Sequence, residues 1–143
     1  MLGNWLIESE IGTGFKGYSR IIRKRVHGKI SFFEARFKGN NVQLVLLKDN
    51  LPNYTELTRL PDGSVIYIYG EKCLTKSGEH SIKIGHASVE AKSYVSLPEK
   101  HHGFSQINRY RNRHLDLLTN DDSVRLFEIK ARITQAIREK LYD

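Results

Sequence analysis

From Phe15 to about Val95, apolar and polar residues alternate in short runs separated by turn formers, which is the period-2 signature of half-buried β-strands. "YSRIIRKRV" (18–26) and "KISFFEARF" (29–37) are rich in β-branched and aromatic residues and are joined by His27-Gly28-Lys29. "GNN" at 39–41 turns the chain into "VQLVLLK" (42–48). The pattern then breaks in "NLPNYTELTRLPDG" (50–63), where Pro52 and Pro61 bracket about two turns of helix. A strand resumes in "SVIYIYGEKCLTK" (64–76), "SGE" turns it, and "HSIKIGHASVEA" (80–91) returns, with Gly85 marking a bulge. Beyond Asp121 the period changes to that of a helix. Leu126, Ile129, Ile133, Ile137 and Leu141 recur at spacings of three and four and form one apolar stripe. "TNDD" (119–122) supplies an N-cap and an acidic first turn, and Arg138 and Lys140 suit the other end of the helix dipole.

Three strands, a short helix and two more strands is the order of an OB-fold barrel. The expected architecture is therefore mainly β. It consists of a five-stranded OB-fold barrel with a short helix between strands 3 and 4, followed by a C-terminal α-helix. The barrel is expected over residues 1–98 (core about 15–95), a basic hinge segment over 99–120, and the helix over 121–143. "GTG" (12–14) reads as a flexible lead-in to the first strand.

Composition narrows the class. At 143 residues, 39% hydrophobic and 27% charged, the chain has room for one modest core and is too apolar for disorder. No apolar run approaches the ~20 residues of a membrane span, and the opening residues lack the basic start of a secretory signal. The single Cys73 excludes an internal disulfide and fits a reducing cytoplasm, the expected location. The net charge of +7 suits a polyanionic partner. It is concentrated between Glu10 and Glu34, where Lys16, Arg20, Arg23, Lys24, Arg25 and Lys29 stand without an acidic residue. Charge alone fits a solvated strand face equally well.

OB barrels bind single-stranded nucleic acid on the face around strands 2 and 3, where aromatic rings stack on bases and cations follow phosphates. Phe32, Phe33 and Phe37 lie on the second strand. Alternation puts Phe33 and Phe37 on one face and Phe32 on the other, so not all three can be core. Other chemistry finds little support. Adjacent His101 and His102, with Glu99 and His114, lack a metal-ligand spacing, Cys73 has no sign of activation, and "GTGFKG" (12–17) precedes a strand rather than a helix. No catalytic residue, metal or cofactor is expected.

"RKRVHGKISF" (23–32) followed by "VQL", "TKSGEHSI" (75–82), "LPEKHHG" (97–103) and "RYRNRHLDLLTNDD" (109–122) resemble, in order, the anticodon-binding domain of class II lysyl-tRNA synthetases. The resemblance covers about residues 16–140 and implies roles for individual residues. Phe32 matches the aromatic that stacks on the middle anticodon base. Arg25 and Gln43 match the pair that hydrogen-bonds this base, a uridine in lysine anticodons, and Glu79 matches a glutamate near the wobble base. Arg23, Lys24 and Lys29 are candidates for phosphate contacts. Without the resemblance, Arg25 and Gln43 also read as solvated strand residues and Glu79 as a hairpin former.

In that family the last helix leads into a catalytic domain, which this sequence does not contain, and a helix usually precedes the barrel. The expectation is a non-catalytic tRNA-binding module for a lysine-type anticodon loop. Two alternatives stand beside it. One is an interaction protein that pairs through its last helix with a second copy or a full-length synthetase, and the other a general single-strand nucleic-acid binder.

Overall fold

In a computed structural model, residues 4–95, 97 and 105–142 are described, the side chains of Asn4 and Trp5 excepted. The chain divides into two compact units, Met1–Ser96 and Leu97–Asp143.

The first unit opens with a short helix, α1 (Asn4–Glu8), and continues into β1 (Gly14–His27), β2 (Ile30–Phe37) and β3 (Asn40–Leu47). A 3-10 turn (Lys48–Asn50) and α2 (Tyr54–Arg59) lead to β4 (Val65–Leu74) and β5 (His80–Ala91). The strands close in the order β1-β2-β3-β5-β4, and every pairing is antiparallel except β3 with β5. This is a closed five-stranded barrel of OB type with its helix between strands 3 and 4. Closure gives every strand a partner on both sides over part of its length.

The turns follow from local chemistry. Gly28, at φ 59, opens the two-residue connection between His27 and Ile30. The next hairpin turns at Lys38 (φ 48) and Gly39 (φ 78), with Asn40 and Asn41 already in β3, so the turn sits one residue earlier than "GNN" suggests. Alternation fills the interior. Phe33, Ala35 and Phe37 of β2 are fully buried, as are Ile66 and Ile68 of β4 and Ile82 and Ile84 of β5. Tyr54 and Leu57 of α2 join this core. The Tyr54 hydroxyl donates to the Gly28 carbonyl at 3.1 Å and meets Ser31 Oγ at 2.6 Å, so its polar end is satisfied within the core.

Three irregularities set the direction of side chains. In β1, Ile21 pairs with Ala35 and Arg23 with Glu34, leaving Ile22 as an extra residue. In β5, His86 pairs with Tyr69 and Ile84 with Gly70, leaving Gly85 as a bulge, the position at which the sequence places one. A third shift leaves Glu90 between the partners of Val65 and Ile66.

The lead-in is tied down rather than flexible. Gly12 N–H donates to the Lys72 carbonyl and Lys72 N–H to the Thr13 carbonyl, each at 2.9 Å. Leu6 of α1 is wholly buried, and Lys72, a residue only 3% exposed, donates through its ammonium to the carbonyls of Ile7 and Ser9 at the end of that helix. A helix therefore does precede the barrel.

The second unit is helical: α3 (Gln106–Arg111), α4 (Arg113–Thr119) and α5 (Asp121–Tyr142). Two short helices thus occupy much of the segment expected as a hinge, whose residues 99–104, with Glu99, His101 and His102, lie outside the described ones. Asp116 organises the unit. Its buried carboxylate accepts from Arg113 Nη1 at 3.1 Å and Asn120 Nδ2 at 3.2 Å, with Arg109 Nε 3.9 Å away. The Arg113 guanidinium also lies over the rings of Tyr110 and Phe127, 5.1 and 5.3 Å from their centroids. The stripe of α5, from Leu126 to Leu141, is exposed.

Candidate nucleic-acid interface

The pairing register carries one row of outward side chains across four strands. Arg25 of β1 is the partner of Phe32 in β2, Phe32 of Val45 in β3, and Val45 of Lys83 in β5. The neighbouring row runs Glu34, Gln43, Ser81. The bulge at Ile22 makes this possible. Lys16, Tyr18 and Arg20 face outward before it, and the extra residue restores the outward direction to Arg23 and Arg25 after it.

Around the first row lies a groove enclosing about 700 Å³. Arg25 and His27 form one side, Phe32 and Val45 the floor, and Cys73, Lys83 and the Thr75–Glu79 loop the other side. Phe32 is half-buried, whereas its neighbour Phe33 is wholly inside the barrel. The loop holds its own shape. Gly78 N–H donates to the Thr75 carbonyl at 2.9 Å, and Glu79 N–H to Thr75 Oγ1 at 3.1 Å.

Gln43 is clamped at the groove wall. Its Nε2 donates to Glu79 Oε2 at 2.9 Å, and its Oε1 accepts from Ser81 Oγ at 2.8 Å. Because an ionised carboxylate only accepts, the amino group must be the end that faces Glu79. One N–H and one lone pair of the amide remain for a ligand. Arg25, Lys76 and Lys83 outweigh the single acid Glu79 among the charged lining residues, so the groove favours an anion.

Phe32, Arg25, Gln43 and Glu79 therefore meet in one place. The other three candidates stand apart from it. Arg23 is exposed on the outer face, opposite Glu34 in register. Lys29 is exposed in the first hairpin turn. Lys24 lies on the other face: alternation turns it away from Arg25, and its ammonium donates to the carbonyls of Thr58 and Leu60 at the end of α2. Burial lowers the Lys24 pKa against the opposing pull of Asp62. This lysine closes a helix end rather than facing the groove.

Sequence reasoning placed none of Lys83, Cys73 and Ser81 at this groove. Lys83 was signalled by its place between the buried Ile82 and Ile84, which points it outward. What brings it to Val45 is the parallel β3–β5 contact, which no local pattern encodes. Burial pushes the Cys73 thiol pKa up, partly offset by a backbone hydrogen bond from Lys83 and its charge. Among the described residues, no group of three or more His, Cys, Asp or Glu could hold a metal ion, and no helix is long and apolar enough to cross a membrane.

The fold is a closed barrel of OB type, and its outer face carries a half-buried aromatic in a row that ends in a cation on either side. The chain is homologous to lysine–tRNA ligases over most of its length, a match consistent with their N-terminal anticodon-binding domain. Lysine–tRNA ligase 2 of Methanosarcina acetivorans is 34% identical over 140 residues, covering 95% of this chain and 27% of that protein. The lysine–tRNA ligase of Legionella pneumophila is 34% identical over 126 residues, 87% of this chain and 25% of that protein. That of Mannheimia succiniciproducens is 35% identical over 141 residues, covering 96% and 28%. The chain thus spans about a quarter of the length of these relatives. No family model matches it.

Proposed function

We propose that the barrel is a non-catalytic module that holds the anticodon loop of a lysine-type tRNA, with a uridine in the groove. The observation that carries this reading is the Arg25–Phe32–Val45–Lys83 row beside the clamped Gln43. A pyrimidine stacked on Phe32 places its edge toward Gln43 and Arg25. Uracil presents carbonyl acceptors and an imino donor, which the remaining N–H and lone pair of Gln43 and the Arg25 fork complement. Cytosine reverses two of these groups and leaves buried partners unpaired, at about 1–3 kcal/mol each. Arg25 and Lys83 flank the ring and suit the adjoining phosphates.

The test is a titration of lysine tRNA against the same tRNA with cytidine at the middle anticodon position. Weaker binding of the altered tRNA is expected, and Phe32→Ala should cost about 1–3 kcal/mol on the parent. Equal affinities that collapse together with salt would leave phosphate binding alone. The exposed stripe of α5 favours a second, compatible role in self-association. Its acidic start at Asp121 and Asp122 and basic end at Lys140 suit an antiparallel second copy. Light scattering on the intact chain and on Ile133→Glu tests this, and a concentration-independent monomer in both would remove it.

A further inference from the structure

The outer face of β4 continues away from the groove and carries a feature that the groove does not use. Tyr67 and Tyr69 alternate with the buried Ile66 and Ile68, so the core needs nothing aromatic at these outward positions. Register extends them into two rows. Lys16, Tyr69 and His86 are neighbours across β1, β4 and β5, as are Tyr18, Tyr67 and Ser88. Tyr18 is 65% and Tyr69 51% exposed. The Tyr18 and Tyr67 rings meet edge to face, with centroids 5.2 Å apart. That pair has a structural use, because cross-strand aromatic pairs stabilise sheets. Tyr69 faces no second tyrosine in register, where its neighbours are Lys16 and His86.

We propose that this tyrosine face is a second stacking surface for single-stranded RNA, which receives nucleotides flanking the one held in the groove. Three observations point to RNA as the occupant. The face is continuous with the groove along β4 and β5, where Cys73 and Lys83 line one and Tyr69 and His86 begin the other. Lys16 and Arg20 supply cations on the adjoining strand, Arg20 held by a 2.8 Å bond to the Gly63 carbonyl. Of the acids on this side, Glu71 stands between Tyr69 and Cys73 but opposite Lys83 in register, which offsets its charge, and Glu90 accepts from Ser88 Oγ at 2.8 Å. Aromatic rings with interleaved cations are the chemistry that sequence-tolerant single-strand binding uses. Outward residues two apart on a strand are ~6.6 Å apart, so the tyrosines extend the stacking platform lengthwise.

The inference rests on the groove reading for where the RNA starts, and the experiment separates the two. Affinities are measured for uridine oligomers of ~4 and ~16 nucleotides, roughly the limits of an OB-fold site. The proteins are the wild type, Phe32→Ala, the double variant Tyr18→Ser/Tyr69→Ser and its ring-preserving counterpart Tyr18→Phe/Tyr69→Phe. The expected result is that Phe32→Ala weakens both oligomers. The serine variant should weaken only the longer one, about tenfold or more, and the phenylalanine variant should restore it. Should the serine pair not fold, Tyr69→Ser alone is used with the same expectation. An unchanged affinity for the longer oligomer, with Phe32→Ala still effective, overturns the tyrosine surface and leaves the groove intact. A tyrosine effect without any Phe32 effect overturns the groove reading instead. An equal loss on both oligomers assigns the tyrosines to barrel stability and also overturns the proposal.

Discussion

Gly70 is where the barrel has least room, and replacing it with alanine gives a sharp test of the packing described above. A Cβ there would stand 2.4 Å from the Lys83 carbonyl oxygen and 2.9 Å from Ile82 Cγ2. Neither neighbour can step aside cheaply, since one is backbone of β5 and the other belongs to a wholly buried side chain. Overpacking of this kind costs about 1–3 kcal/mol, against a gain of about 0.4–1 kcal/mol from the stiffer unfolded chain. We expect a net loss of about 1 kcal/mol, which for a domain of this size lowers the Tm by roughly 4–8 °C. Gly85 is the internal control. A Cβ there meets only the Tyr69 carbonyl oxygen, at 3.9 Å, so Gly85→Ala should be neutral to stabilising, by up to about 1 kcal/mol. Thermal and urea unfolding of the two variants side by side decide the matter. Equal stabilities would refute the account of β4 against β5. Because the displaced carbonyl belongs to Lys83, Gly70→Ala should also weaken RNA binding at temperatures where it remains folded.

Other expectations follow from individual residues. Lys83→Ala should lower the salt dependence of RNA binding by about one phosphate contact, whereas Arg25→Ala should chiefly weaken the preference for uridine. Lys24→Ala should leave the salt slope unchanged and instead destabilise the barrel, read by urea unfolding. The Cys73 thiol, with its pKa raised by burial, should react with iodoacetamide more slowly at neutral pH than a free thiol. Bound RNA should slow it further, and an unchanged rate would place the RNA elsewhere. Asp116 gives a pH dependence. Burial alone would raise its pKa, but hydrogen bonds from Ser123 and Asn120 and the charges of Arg109 and Arg113 outweigh burial and hold it below its ordinary value of 3.8. The folded form therefore binds this proton less readily than the unfolded one. Its stabilisation is complete above that ordinary value and fades as the pH falls through the depressed one. Amide exchange in α4 and early α5 should accelerate over that acid range, and Asp116→Asn should abolish the step.

Much of the barrel could be read from local pattern because its strands alternate cleanly and its breaks are chemical. Pro52 and Pro61 bracket α2, and the bulge at Gly85 falls where a glycine interrupts a strand. Phe32 could be separated from Phe33 by parity alone. The same parity applied to Arg23, Lys24 and Arg25 would have removed Lys24, but a run of like charges hides the alternation within it. α1 escaped because five residues are too few for a period, and its anchoring depends on Leu6 and on Lys72, far along the chain. Lys83 and Ser81 reach the groove only through barrel closure, a pairing between segments about 40 residues apart. Two of the helices in the second unit lie in an Arg- and Asn-rich stretch without an apolar stripe. Their order comes from Asp116, a single buried charge whose partners are spread from Arg109 to Ser123.

The extra residue at Ile22 makes the chemistry of β1 a matter of counting. Deleting it would remove the bulge and leave Arg23 opposite Glu34 and Arg25 opposite Phe32, with every face unchanged. Keeping Ile22 but pairing it regularly with β2 would instead exchange the faces of every residue from Arg23 to His27. Lys24 would then stand beside Phe32 and Arg25 would turn inward opposite Ser31. Composition at this strand therefore says little about ligand recognition unless the phase is known. When homologous barrels are compared, a gap at this position should leave the basic residues aligned, whereas a strand of the same length without the bulge should carry them displaced by one.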